Sequence, residues 1–129
     1  AYFANFNSDT GGNYYQIHVL YGNGTAAGQF YSGTSATKIQ LSDIVGSSST
    51  ANTYAASVTD ILDYTNTNKY KTMRSLLGYD TNSAYGQVNL ASALWMSTAA
   101  ISSISISMAS AQHTQYSTFA LYGIKKTGA

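Results

Sequence analysis

The sequence predicts an all-β protein, an antiparallel β-sandwich of jelly-roll type with seven or eight strands. Three observations carry this expectation. Apolar and polar residues alternate over short runs, as in Tyr15, Ile17, Val19 and Tyr21 and again in Ile104, Ile106 and Met108. Clusters of turn-forming residues separate the runs, among them Asp9-Thr10-Gly11-Gly12, Thr65-Asn66-Thr67-Asn68 and Asp80-Thr81-Asn82-Ser83. Only Tyr54–Tyr64 offers a helical period, and there it competes with a strand reading.

In chain order, Ala1–Asn7 reads as the tail of a strand. The Asp9–Gly12 turn then joins it, as a hairpin, to a strand over Tyr14–Tyr21. Gly22–Gly33 reads as a Gly/Ala loop that carries Phe30 and Tyr31. A short strand is expected around Thr37–Val45, with Ile39 and Leu41 in phase, ended by Gly46-Ser47-Ser48-Ser49-Thr50. In Tyr54–Tyr64, Val58, Ile61 and Leu62 suit a helix face, but Thr, Val, Ile and Tyr favour a strand. Lys69–Tyr79 alternates and pairs with it as a hairpin. Tyr85–Met96 is a further strand with a kink expected at Ala91-Ser92-Ala93. The closing pair is a strand with Ile104, Ile106 and Met108 on one face, where the out-of-phase Ile101 marks a bulge or the strand's start near Ser102–Ser103, and a second strand over Thr118–Lys125. That last strand is apolar on both faces, with Phe119 and Leu121 on one and Ala120, Tyr122 and Ile124 on the other. Such a strand needs cover on both sides, from its own domain or from another subunit. Ile104, Ile106, Phe119 and Leu121 are expected to be buried in this hairpin.

The 129 residues read as one domain, 1–129, with no internal repeat or linker. The chain opens on Ala1 rather than Met, as a processed form or a fragment would. Cysteine is absent, so disulfides and thiolate metal sites are excluded. Proline is absent too. Charged residues make up 9 %, against about 25 % in typical domains. Ser, Thr, Asn and Gly supply the polarity instead, as in many exported or particle-bound β-proteins. A net charge of +1 gives no basic footprint for nucleic acid. No apolar run approaches the roughly 20 residues of a membrane span, and nothing resembles a signal peptide.

The ending Thr118–Lys126, TFALYGIKK, resembles the closing strand of a β-domain common in structural proteins of tailed bacteriophages. Ala56–Tyr79, Leu94–Ile106 and the Ser8-Asp9-Thr10-Gly11-Gly12 turn are similar to further blocks of that family. Members carry another strand before that turn, which is cut short or missing here. The resemblance implies a virion component with a jelly-roll-like sandwich, on a head, a tail or a fibre.

Candidate chemistry is sparse. Asp9-Thr10-Gly11 matches the short signature of aspartic proteases, but it lacks the apolar strand that leads into that motif, so it reads as a turn. Asp60 and Asp63 would face opposite sides of a strand, which disfavours joint chelation, with Asp43 as a third carboxylate. His18 and His113 are the only imidazoles. The serines lack a Gly-x-Ser-x-Gly elbow, and Gly22-Asn23-Gly24 lacks the Lys of a phosphate loop. No enzyme, metal or cofactor is expected.

Twelve tyrosines exceed what one small core needs. The surplus points to subunit contacts, with Tyr122, Ile124 and Phe119 as candidates, or to sugar-stacking platforms built from Trp95, Tyr31, Tyr79 and Tyr85. The expectation is therefore a non-enzymatic virion protein displayed on the particle surface, bound to other virion proteins and self-associating as a trimer or lattice. The alternatives are a tail-fibre or spike tip that recognises host glycans and a secreted carbohydrate-binding module. A chelator such as EDTA should leave the melting temperature unchanged; a drop of several degrees that calcium reverses would show that Asp60 and Asp63 hold a metal.

Overall fold

Alternating side chains build eight strands in the computed structural model, which describes residues 1–11, 15–46, 49–83, 85–109 and 112–125, with side chains for all of these except 30–35 and 42. The strands are β1 (Tyr2–Phe6), β2 (Tyr15–Gly22), β3 (Ala27–Ala36), β4 (Ile39–Ser42), β5 (Ala55–Ile61), β6 (Lys71–Asp80), β7 (Gly86–Trp95) and β8 (Ile104–Met108). They form two antiparallel sheets, one of order β4-β1-β8 and one of order β3-β2-β7-β6-β5. The all-β antiparallel sandwich expected from the sequence is thus the fold. Among the described residues no helix is long and apolar enough to cross a membrane.

The core follows the period-two pattern. From the larger sheet Tyr15, Ile17 and Val19 of β2, Met73 and Leu77 of β6, and Ala91, Ala93 and Trp95 of β7 point inward. From the smaller sheet come Tyr2, Ala4 and Phe6 of β1 and Ile39 and Leu41 of β4. Phe6 meets Trp95 edge-on, with ring centroids 5.7 Å apart. Ile101, which breaks the phase before β8, is buried as a plug at one end of the core. Lys71 is fully buried beside this core, and its Nζ reaches two backbone carbonyls, of Lys69 at 2.9 Å and Thr98 at 3.3 Å.

Several strands are where the alternation put them. β5 and β6 form the expected hairpin, and the 65–68 turn is held by Asn68 N–H donating to Asn66 Oδ1 at 2.7 Å. β8 starts at Ile104 and puts Ile104, Ile106 and Met108 on the core side.

Four expectations fail for physical reasons. First, β1 and β2 are not a hairpin but lie in different sheets. Asn7 and Ser8 both adopt left-handed backbone (φ 52° and 56°), which turns the chain out of the small sheet and across to the large one. Second, Gly22–Gly33 is not a loop. The turn is only Asn23–Ala26, where Asn23 Oδ1 accepts from the Thr25 and Ala26 N–H groups and Gly24 supplies a positive φ of 87°. From Ala27 the chain returns as β3 against β2. Gly28 lies beneath the Tyr21 ring, and a side chain there would have to displace the phenol. Third, β7 runs unkinked through Ala91-Ser92-Ala93, in unbroken register with both β2 and β6. The small inward side chains of Ala91 and Ala93 leave room for the facing β4 rather than breaking the strand. Fourth, Thr118–Lys125 is not a strand, and Phe119 and Leu121 are 61 % and 84 % exposed, not buried. A segment apolar on both faces needs cover on both, and its own chain gives it neither.

The two closing segments therefore differ in stability terms. Trp95→Ala should cost about 3–5 kcal/mol in urea or thermal melts. Phe119→Ala in dilute solution should stay within about 0.5 kcal/mol of wild type. A loss of several kcal/mol at Phe119 would put the tail back in the core.

Candidate functional site

Whatever faces away from the core of a two-layer sandwich is ordinarily polar. The outer face of the five-stranded sheet departs from this. Leu20 of β2 lies opposite Leu90 of β7, Leu90 opposite Leu76 of β6, and Leu76 opposite Val58 of β5. Four aliphatic side chains thus form one in-register row across four strands, each 49–69 % exposed. The next row holds Gly22, the exposed Val88, Gly78 and Ala56, so the patch continues without a polar side chain. The row on the other side is polar: His18, Ser92, Arg74 and Asp60. There Arg74 Nε donates to Asp60 Oδ2 at 2.8 Å. A flat apolar band bordered by a polar rim is the pattern of a contact surface.

A second feature lies where β6 meets β7. Tyr79 and Tyr85 stack at 6.2 Å between centroids, tilted by 45°, and Tyr85 is half-exposed. The Tyr79 hydroxyl donates to Gln87 Oε1 at 3.0 Å. Burial first, then the hydrogen bond and the charge of Tyr85, and then the charge of Asp43, push the Tyr79 phenol up to about 12. Of the four residues read as a sugar platform, only these two come together. Trp95 is 2 % exposed and serves the core, so it is no platform, and the side chain of Tyr31 lies outside the described residues.

The contact candidates Phe119, Tyr122 and Ile124 are all exposed, on a tail that the chain leaves uncovered. His113 meets Phe119 edge-on at 4.9 Å, a contact local to that tail. The carboxylates are spoken for. Asp9 Oδ2 accepts from Trp95 Nε1 at 2.8 Å and its Oδ1 from Gly11 N–H at 3.1 Å, so the Asp-Thr-Gly motif is a structural turn. Asp60 pairs with Arg74 and Asp63 with Lys69. Among the described residues no three His, Cys, Asp or Glu side chains gather as a metal site.

The sequence reading missed the aliphatic row. The signal was present: Tyr54, Val58 and Leu62 share one parity, and so do Leu20, Val88 and Leu90 in their strands, but that parity is opposite to the buried one. No family model matches the chain, and comparisons with curated proteins and with solved structures find no match either.

The raised Tyr79 phenol makes an alkaline prediction. Its folded value lies above the ordinary 10.0, so its contribution to stability is complete below pH 10 and is lost as pH rises towards 12. Burial raises Tyr2 and Tyr15 in the same direction, so the fall in melting temperature should be shared among the three. Tyr79→Phe should make that fall shallower; an unchanged alkaline profile would remove the Tyr79–Tyr85 pair from it.

Proposed function

We propose that this chain is a non-enzymatic structural protein of a bacteriophage virion, displayed at the particle surface as a head-decoration or tail or fibre component and acting through protein–protein contacts. One observation carries the contact role: the in-register row Leu20–Leu90–Leu76–Val58 on the outside of the large sheet. Its exposed aliphatic area is stabilising only when another surface covers it, at roughly 25 cal/mol per Å² removed from water. Low charge favours such association, because little like-charge repulsion opposes it. The virion setting is supported by the resemblance of Thr118–Lys126 and the blocks before it. A second reading, a fibre tip that binds host glycans, is favoured by the Tyr79–Tyr85 pair beside Gln87, where a flat ring lies next to hydrogen-bonding groups.

Copy number in purified particles tests the proposal. Many copies per head mean decoration, a few per particle mean a fibre or tip, and none overturns the virion reading. Leu76→Asp places a charge at the centre of the apolar row, on an exposed position, and should leave the melting temperature near wild type. It is expected to abolish attachment to particles, and normal attachment would remove the row from the contact.

A further inference from the structure

The two sheets do not match in width. Among the described residues the large one has five strands and the small one three, and β8 has a neighbour, β1, on one side only. The consequence shows in the side chains beneath. On β6 the inward-facing Lys71, Met73, Ser75 and Leu77 are all buried. On β5 the residues in the same phase, Ala55, Ser57 and Thr59, are exposed. Ile104, Ile106 and Met108 of β8 face the core but are only half-covered. The half-covered inner face of β8 and the exposed inner face of β5 mark a flank of the sandwich that the described residues leave partly open, with the Tyr2 side chain reaching Ser57.

The outer edge of β8 is unprotected. Sheet edges that must stay free carry lysine, proline or inward charges. β8 reads Ile-Ser-Ile-Ser-Met and has none of these. The chain also holds one strand-like segment that no sheet uses, Thr118–Lys125. Its Phe119, Leu121, Tyr122 and Ile124 are 61–90 % exposed. The interactions described for residues 112–125 are local, such as the Ser117 N–H bond to the Thr114 carbonyl at 3.0 Å and the His113–Phe119 contact. Among the described residues an edge without a partner and an uncovered strand-like segment thus occur in one molecule.

We propose that the segment 118–125 of one copy adds as a strand to the free edge of β8 in a second copy, closing the flank over Ser57 and Thr59. Main-chain hydrogen bonds to β8 supply the pairing. The two-sided apolar pattern explains itself in that place: one face of the added strand meets the interior beside β5 and the other lies in the interface between copies. The area suffices. Phe119 and Tyr122 each bury on the order of 150–250 Å², so two exchanged tails, with Leu121 and Ile124, reach the roughly 1,200 Å² at which stable interfaces begin. The proposal rests on the reading of the chain as one that works through protein–protein contacts, and it names the contact.

The cysteine-free chain suits a cross-linking test. A full-length Ser105→Cys chain is mixed with a full-length Ala120→Cys chain and treated with a short bis-maleimide, which tolerates a shift in register. The expected product is a cross-linked pair of chains, formed only in the mixture. In sedimentation, wild type should be oligomeric and the full-length Leu121→Asp/Tyr122→Asp variant monomeric, while still melting in one cooperative transition. If the chain carrying both cysteines cross-links only within itself, the tail covers its own β8 and the exchange is overturned. A wild type that sediments as a monomer, or a double-Asp variant as oligomeric as wild type, overturns it as well. None of these results alters the particle copy number, so a failed exchange is distinguishable from a failed virion assignment.

Discussion

The hydrogen bond from the Trp95 indole to the Asp9 carboxylate ties the two sheets to each other. Trp95 ends β7 in the large sheet, and Asp9 lies in the turn that leaves the small one. The turn itself is over-determined. The Asp9 N–H donates to the Phe6 carbonyl at 2.8 Å, and the Tyr15 hydroxyl donates to the Asp9 carbonyl at 3.1 Å while accepting from the Phe6 N–H at 3.2 Å. Asn5 adds a bond to the same Asp9 carbonyl. Asn7 serves the other end of the chain: its Oδ1 accepts from the Ser102 and Ser103 N–H groups, and its Nδ2 donates to the Ala100 carbonyl at 2.8 Å. Five consecutive residues thus position the end of β1, the start of β2, the end of β7 and the entry to β8. A polar network of this kind holds one geometry because each unmade bond would leave a covered polar group unsatisfied.

The outside of the molecule follows a different economy. With few ionic groups, its surface is wetted by hydroxyls and amides, and the charged pairs sit at particular places. The Arg74–Asp60 pair lies one row from the aliphatic band and bridges β6 to the edge strand β5. An exposed pair of this kind contributes at most about 1 kcal/mol. Its worth lies more in marking the border of the apolar band and in discouraging strand addition at β5. β8, like the edge strands β3 and β4, carries no such charge.

Much of this fold was legible. Strict alternation in Tyr14–Tyr21, Lys69–Tyr79 and Ile104–Met108 located strands and divided their residues between two faces, because period two maps directly onto the pleat. Three features resisted. β3 hides behind Gly, Ser and Thr, residues that a local rule assigns to loops; the Asn23-Gly24 turn and the register with β2 make it a strand. The burial of Lys71 is not announced by its residue type, and it is stabilised because two carbonyls lie within reach of its amine. Trp95 reads as a displayed ring and is the core's largest member, since its one N–H has a partner in Asp9. The parity of the exposed aliphatic residues is visible in each strand, but their alignment as one row across four strands needs the pairing. Leu20, Val58, Leu76 and Leu90 are far apart in sequence, and only the register lines them up.

The pairing of β1 with β8 has a bearing on how the protein is made. Tyr2 lies opposite Met108 and Phe6 opposite Ile104, so the small sheet joins residues about a hundred positions apart. The β5-β6-β7 meander, by contrast, is built from neighbours in sequence and can form as soon as it is synthesised. Loop-closure entropy must be met before the distant pairing contributes anything, which slows folds of this topology. During translation β1 has only β4 to pair with until residue 108 has emerged from the ribosome, so the edge of β1 that β8 takes stays open to solvent or to a chaperone. Among the described strands, the first made is one of the last to be secured.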